Sequence, residues 1–243
     1  MTLARAIALG LVGLGLTQGL AAQGGSAATK FTIKVENISK GEALKLSNGK
    51  SAPFVSAPVL WAIHTGANPI FTGGQIDAGK GLETLAETGN PAVLAKSLNG
   101  APGVVAVGAD DHPIGATAGG PITPGQGYEF EITAEPGQFL STAWMFGQSN
   151  DLLYASDRPI ALFAGNKPVS GDMSPQLALW DAGTEVNEEP GLGPNQGPRQ
   201  ATPDAGVTEK KAIAHVSDKY AYPRLPSVLR LTITPETKAM SSK

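Results

Sequence analysis

The chain has 243 residues, a formal net charge of −3 and no cysteine. The lack of thiols excludes disulfide scaffolds, zinc–thiolate sites, iron–sulfur clusters and cysteine catalysis. The mild charge, without a cluster of Lys and Arg, argues against nucleic acid as a partner. The 31 glycines and 19 prolines favour a fold of many short strands joined by turns.

The N-terminus has the pattern of a secretory signal peptide. Arg5 provides the positive charge, residues 6–16 are apolar, and small residues follow up to Ala22. The apolar run is too short and too rich in glycine for a membrane anchor. We therefore expect an exported protein, periplasmic or secreted. The predicted organisation is a signal peptide (1–22), a linker (23–29), one β domain (30–235) and a polar tail (236–243).

Alternating apolar and polar residues predict several strands. In Lys30–Ile38, the side chains of Phe31, Ile33 and Val35 share one face, and Tyr128–Ala134 alternates in the same way. The continuous apolar run Val104–Val107 predicts a buried strand. Further extended segments are predicted at 53–61, 138–146, 160–163, 177–180 and 228–234.

Two short helices are predicted between the extended segments 53–61 and 104–107. Leu82, Leu85 and Ala86 recur at helical spacing, which leaves Glu83 and Glu87 on the opposite, polar face. A second helix is predicted from Pro91 to Leu98. We expect both to lie across one end of the strands. The element order predicts an all-β-dominated, C2-like antiparallel β-sandwich with one or two short helices and long loops.

The three histidines, at positions 64, 112 and 215, share no ligand spacing, so the sequence contains no zinc motif. The triplet Asp110-Asp111-His112 has two interpretations. It is either a metal or catalytic cluster, or a turn in which the aspartates precede Pro113.

The segment Trp180-Asp181-Ala182-Gly183-Thr184-Glu185 places two carboxylates four residues apart around a glycine. Such a turn can curl both carboxylates toward one point, as hard oxygen-seeking cations such as Ca²⁺ require. The alternative is a solvated surface turn. Trp180 itself is expected to pack in the core.

Three motifs together resemble the spondin-N domain, which is found in F-spondin and in exported bacterial proteins. They are Ser149-Asn150-Asp151, the block from Leu179 to Glu185, and Ala221-Tyr222-Pro223-Arg224-Leu225. The resemblance extends from about Phe31 to Thr234. It implies a β-sandwich similar to C2 domains, with calcium held in loops at one end.

Position by position, the resemblance implies Asp151, Asp181 and Glu185 as the calcium ligands. The animal members have an aspartate at the last position and also carry cysteines, so Glu185 and the lack of cysteine are departures. Backbone carbonyls, with Asn150 and Asp157 as candidates, and water would complete the coordination. The Pro- and Gly-rich segment 186–211 is either an ordered loop pinned by the ion or a mobile one.

These observations favour an exported, non-catalytic calcium-binding module for adhesion or recognition. Its expected partner is extracellular matrix, a glycan or a surface protein. One alternative is a hydrolase that uses Asp110, Asp111 and His112, or a metal at the acidic turn, although Gly-x-Ser-x-Gly and His-Glu-x-x-His motifs are absent. Another is a C2-like membrane-binding module, but acidic, glycine-rich loops would need calcium to bridge them to anionic lipid, so we do not expect membrane binding.

Overall fold

The computed structural model describes residues 28–236. The predicted signal peptide, most of the linker and the polar tail after Glu236 lie outside the described residues. Strands dominate, with three short α-helices and one 3-10 turn (Ser174–Gln176). The helices are α1 (Leu82–Thr88), α2 (Ala92–Leu98) and α3 (Leu225–Val228). The strands are β1 (Thr29–Asn37), β2 (Leu44–Lys45), β3 (Ser51–Ala52), β4 (Val59–His64), β5 (Val104–Asp110), β6 (Gly127–Ala134), β7 (Phe139–Met145), β8 (Leu152–Ser156), β9 (Ile160–Ala161), β10 (Phe163–Ala164), β11 (Lys167–Pro168), β12 (Gly171–Asp172), β13 (Leu177–Asp181), β14 (Ala214–His215) and β15 (Leu229–Pro235).

Two antiparallel sheets form the framework. The smaller has the order β12-β15-β1-β6, and the larger has the order β14-β13-β8-β7-β4-β5, with β9 also paired to β7. In the smaller sheet, Ile33 of β1 lies between Ile233 of β15 and Phe130 of β6. The strands β2–β3 and β10–β11 form separate two-stranded ribbons.

The main core lies between the two sheets. Phe31, Ile33 and Val35 are fully buried there, as their alternation with polar residues predicts. From the larger sheet, Trp144 and Tyr154 enter the same core. The prediction of an all-β, sandwich-like fold is confirmed.

The helices α1 and α2 form a third layer, so their expected place across one end of the strands is wrong. Leu82 and Leu85 of α1 belong to a second apolar cluster with Leu60, Leu153 and Trp180 of the larger sheet. This cluster covers the face of that sheet that is turned away from the smaller one, because strand side chains alternate between two faces. No helix within residues 28–236 is both long and apolar enough to cross a bilayer.

The strand β5 is an edge strand and not a buried one. Among the described strands it pairs only with β4, and the side chain of Val105 is 53% exposed. A continuous apolar run shows that a segment is extended, but it does not distinguish a central strand from an edge strand.

Candidate metal centre

The fold brings the first two sequence motifs together where β8 begins and β13 ends, and Tyr222 of the third motif packs against Phe146 just before the first (ring centroids 6.3 Å apart). The Ser149–Asp151 loop precedes β8, and the Asp181–Glu185 turn follows β13. These strands are antiparallel neighbours, with Asp181 paired to Leu152. The start of β8 therefore meets the end of β13, and the amide of Ala182 donates to the carbonyl of Asp151 at 3.2 Å.

Asp151 is fully buried at this junction. Its Oδ2 accepts the backbone N–H groups of Thr184 (3.1 Å) and Glu185 (3.0 Å). Its Oδ1 is buried and has no hydrogen-bond partner in the part of the chain that the structure describes. Burial, and then the charge of Asp181, raise the pKa of Asp151. A buried carboxylate oxygen therefore remains free to accept a further interaction.

Asp181 is half-buried and closes the acidic turn on itself. Its Oδ1 accepts the N–H of Gly183 at 2.7 Å, and its Oδ2 accepts the side-chain amide of Asn187 at 2.6 Å. Gly183 has φ of 71°, and a Cβ there would lie 2.5 Å from the carbonyl oxygen of Lys211. Only glycine fits this position without strain, which explains the central residue of the motif. Burial raises the pKa of Asp181.

Glu185 is 1% exposed and bridges two loops. Its Oε1 accepts the N–H of Gly206 at 2.7 Å, and its Oε2 accepts the side-chain amide of Asn150 at 3.2 Å. A Cβ at Gly206 would collide with this carboxylate. Burial raises the pKa of Glu185, and the charges of Asp204 and Glu188 raise it further.

The three predicted ligands are thus neighbours, but they do not form one tight cluster. Within residues 28–236, the only set of three acidic, His or Cys side chains whose ligand atoms all lie within 4.8 Å of one another is Glu83, Glu87 and Asp204. The predicted site still offers only oxygen donors, and Asp151 and Asp181 interact electrostatically. This donor set, with the free Oδ1 of Asp151, fits a hard cation.

Sequence reasoning missed the set of Glu83, Glu87 and Asp204. One signal in the sequence points to Glu83 and Glu87. They are two acids four residues apart on a helix that contains no basic residue. Helical spacing predicts Glu87 on a polar face, but the structure buries its side chain, which is 2% exposed. Nothing in the sequence connects Asp204 to that helix.

The segment 186–211 is an ordered loop held by backbone hydrogen bonds. The amide of Val186 donates to Val207 (2.8 Å), and those of Glu209 and Lys211 donate to Thr184 (2.7 Å) and Gly183 (2.9 Å). The loop therefore runs alongside the acidic turn and fixes its shape.

Asp110, Asp111 and His112 form a turn that follows β5. Asp110 Oδ1 accepts the N–H of His112 at 3.1 Å, and His112 Nδ1 lies 2.5 Å from Asp111 Oδ1. The side chains of His112 and Asp111 are each 57% exposed. His64 is buried against Ser141, and His215 contacts Asp157, so the three histidines lie in separate environments.

A cleft of about 490 Å³ opens beside Asp181. Its lining includes Lys211, His215 and Tyr220 together with Asp181 itself. Charged, aromatic and polar groups thus surround one face of the acidic turn. Trp180, the residue before the acidic turn, is 9% exposed. Its ring packs against Phe71 (ring centroids 5.0 Å apart) and His215 (4.1 Å), so its predicted place in the core is confirmed.

No family model matches the chain, and the curated proteins contain no match to it.

Proposed function

We propose that this protein is an exported calcium-binding β-sandwich module of the spondin-N type, which serves in extracellular adhesion or recognition without catalysis. The observation that carries this proposal is the buried, unpartnered Oδ1 of Asp151 beside Asp181, where two loops distant in sequence meet. Export rests on the signal-peptide pattern of residues 1–22.

Asp151 and Asp181 would supply the main charge to the ion, with Glu185 as the third carboxylate. Each oxygen of Asp181 accepts only one hydrogen bond, and a carboxylate oxygen has a second lone pair for a cation. Without a cation, crowded carboxylates repel each other and lose hydration on burial. A bound ion would offset both effects and join the β7–β8 loop to the acidic turn, which stabilises the folded state.

The cleft beside Asp181 is the place for a recognition partner. Tyr220 offers an aromatic face, while Lys211, His215 and Asp181 offer hydrogen bonds and charge of both signs. Such a lining suits a polar ligand, for example a glycan or a surface peptide of the matrix. Calcium at Asp181 would then fix one wall of the cleft.

One side-chain pair that resembles a catalytic pair lies inside the core. The Ser141 Oγ lies 2.9 Å from Nε2 of His64, which resembles a nucleophile and its base, but both residues are fully buried. Nδ1 of His64 has no hydrogen-bond partner, so no carboxylate orients the ring. The pair is therefore a structural part of the core.

The proposal is tested by calorimetric Ca²⁺ titration and thermal melts of the chelator-treated mature protein. The variants are Asp181→Asn and, as a matched control, Asp172→Asn. Asp172 likewise accepts a backbone N–H two residues on, from Ser174 at 2.8 Å, but it lies in β12 of the smaller sheet. The control thus reproduces the local effect of the substitution away from the site.

We expect saturable binding, with a dissociation constant of about 10⁻³ M or tighter, and a higher melting temperature in calcium. Asp181→Asn should lose most of both effects, and Asp172→Asn should keep them. No heat and no shift in melting temperature in the wild-type protein would contradict the proposal.

A further inference from the structure

A second group of carboxylates lies close to the predicted site. It consists of Glu83 and Glu87 of α1 and Asp204 of the long loop, and one oxygen from each lies within 4.8 Å of the other two. Residues four apart on a helix lie on the same side, so α1 presents both glutamates to the loop. The group therefore joins two elements that are far apart in sequence.

Glu87 contributes a deeply buried carboxylate to this group. Its side chain is 2% exposed, and Oε1 has no hydrogen-bond partner within residues 28–236. The long loop covers this end of α1, where the side-chain amide of Gln200 donates to the backbone oxygen of Glu87 at 3.2 Å. The carboxylate receives a hydrogen bond from the side chain of Thr184, but one of its oxygens stays unpartnered. A buried carboxylate that is only partly satisfied destabilises a fold in its charged form unless a positive charge accompanies it.

No basic side chain among residues 28–236 offsets this charge. Glu83, Glu87 and Asp204 form no ion pair with a lysine or arginine there. Burial, and then the charge of Glu185, raise the pKa of Glu87 to about 8. Burial and the charge of Asp204 raise that of Glu83. Four carboxylates thus concentrate negative charge between α1 and the loop.

We propose that Glu83, Glu87 and Asp204 form a second site, which binds a divalent cation such as Ca²⁺ through oxygen ligands. Opposite oxygens around Ca²⁺ are about 5 Å apart, because each Ca–O distance is about 2.3–2.6 Å. The three ligand atoms lie within 4.8 Å of one another, so one ion can contact all of them. Its three ligands are distinct from Asp151, Asp181 and Glu185, the ligands of the first site.

The ion would fasten α1 to the loop that shapes the predicted site. Asp204 lies two residues from Gly206, whose amide holds the carboxylate of Glu185. Occupation of the second site would therefore fix the position of Glu185. A cation between α1 and the loop would thereby add to the backbone hydrogen bonds that already hold the loop beside the acidic turn.

The test is a count of bound Ca²⁺ per chain, by equilibrium dialysis of the chelator-treated mature protein against CaCl₂, with calorimetry alongside. The variants are Glu87→Gln, Asp204→Asn and Asp181→Asn, with Glu135→Gln as a control in an exposed turn. Asp204 has φ of 56°, a conformation that asparagine adopts readily, so this substitution preserves the backbone. Thermal melts in chelator establish that each variant folds.

We expect Glu87→Gln and Asp204→Asn each to lose one bound Ca²⁺ per chain relative to the wild type, while Glu135→Gln loses none. In chelator at pH 7, Glu87→Gln should melt close to the temperature of the wild type, because a carboxyl with a pKa of about 8 is largely protonated there and glutamine is its neutral analogue. In calcium, the wild type should gain more in melting temperature than this variant.

The second site is overturned if Glu87→Gln and Asp204→Asn bind as much Ca²⁺ as the wild type. The Asp181→Asn variant separates this result from failure of the proposed function. If only Asp181→Asn loses an ion, the second site is wrong and the first stands. If only the other two variants lose one, the second site stands and the first is wrong.

Discussion

The geometry of the acidic turn depends on one glycine. Gly183 combines a positive φ with contact against the Lys211 carbonyl, so an added Cβ would both strain the backbone and displace the loop. The sequence motif is therefore explained by packing as well as by ion binding. The same contact places the loop where it can hold Glu185.

We predict that Gly183→Ala destabilises the protein by about 3 kcal/mol, since about 1 kcal/mol of backbone strain is added to the collision. The matched control is Gly165→Ala, where φ is 62° but nothing lies within 4 Å of an added Cβ. That variant should lose only about 1 kcal/mol. Urea unfolding measures both values, and equal losses would show that the contact with Lys211 does not matter.

His64 gives the core a pH dependence. Burial lowers the pKa of its ring below the value of 6.5 for an exposed histidine. As the pH falls through that value, the unfolded chain takes up a proton that the folded protein does not. The contribution of His64 to stability is therefore fully present above pH 6.5 and is lost as the pH falls toward the lowered pKa.

We predict that the wild type loses more stability than His64→Gln when the pH falls from about 7.5 to about 5.5. Comparing the two proteins isolates the histidine, because the carboxylates that titrate in both contribute equally. Urea unfolding at each pH provides the free energies. Parallel pH profiles would show that His64 can be protonated inside the fold.

At the scale of elements, the helix α1 is part of the core and not an appendage. Leu85 is fully buried and packs in the apolar cluster between the helices and the larger sheet. Val93 of α2, by contrast, is 49% exposed. We predict that Leu85→Ala costs about 2–5 kcal/mol, as other buried leucines do. Val93→Ala should change stability by less than about 0.5 kcal/mol. A small loss for Leu85→Ala in urea unfolding would mean that α1 is dispensable.

Much of this architecture could be predicted from sequence, because strand alternation records which face is buried. The alternation of Phe31, Ile33 and Val35 with polar residues predicts β1, and the helical spacing of Leu82, Leu85 and Ala86 predicts α1. The exposed edge position of β5 could not be predicted, since Val105 belongs to an apolar run whose neighbours are set by topology. The same limit applies to where the helices pack.

The candidate sites show a similar division. The motifs around Asp151 and Asp181 predicted that two loops would meet, and antiparallel pairing of β8 with β13 brings them together. The burial of Glu87 depends on a loop that returns from residues far along the chain. Helical periodicity assigns Glu87 to the outer face, and no local pattern shows that Asp204 will approach it.

At the scale of the whole molecule, the larger sheet supports both apolar clusters. Trp144 belongs to the cluster between the sheets, and Trp180 belongs to the cluster under the helices. We predict one cooperative unfolding transition, because neither cluster can be exposed without disturbing that sheet. Tryptophan fluorescence and far-UV circular dichroism should give the same urea midpoint. Two separate midpoints would show that the helical layer unfolds independently.

The central claim is that calcium binds where the β7–β8 loop meets the acidic turn. The most direct measurement is a crystal structure grown in CaCl₂, with an anomalous difference map recorded at long wavelength to locate the ion. We predict a calcium peak within about 2.6 Å of carboxylate oxygens of Asp151 and Asp181. A map without a peak at these residues, from crystals in which their side chains are well ordered, would contradict the claim.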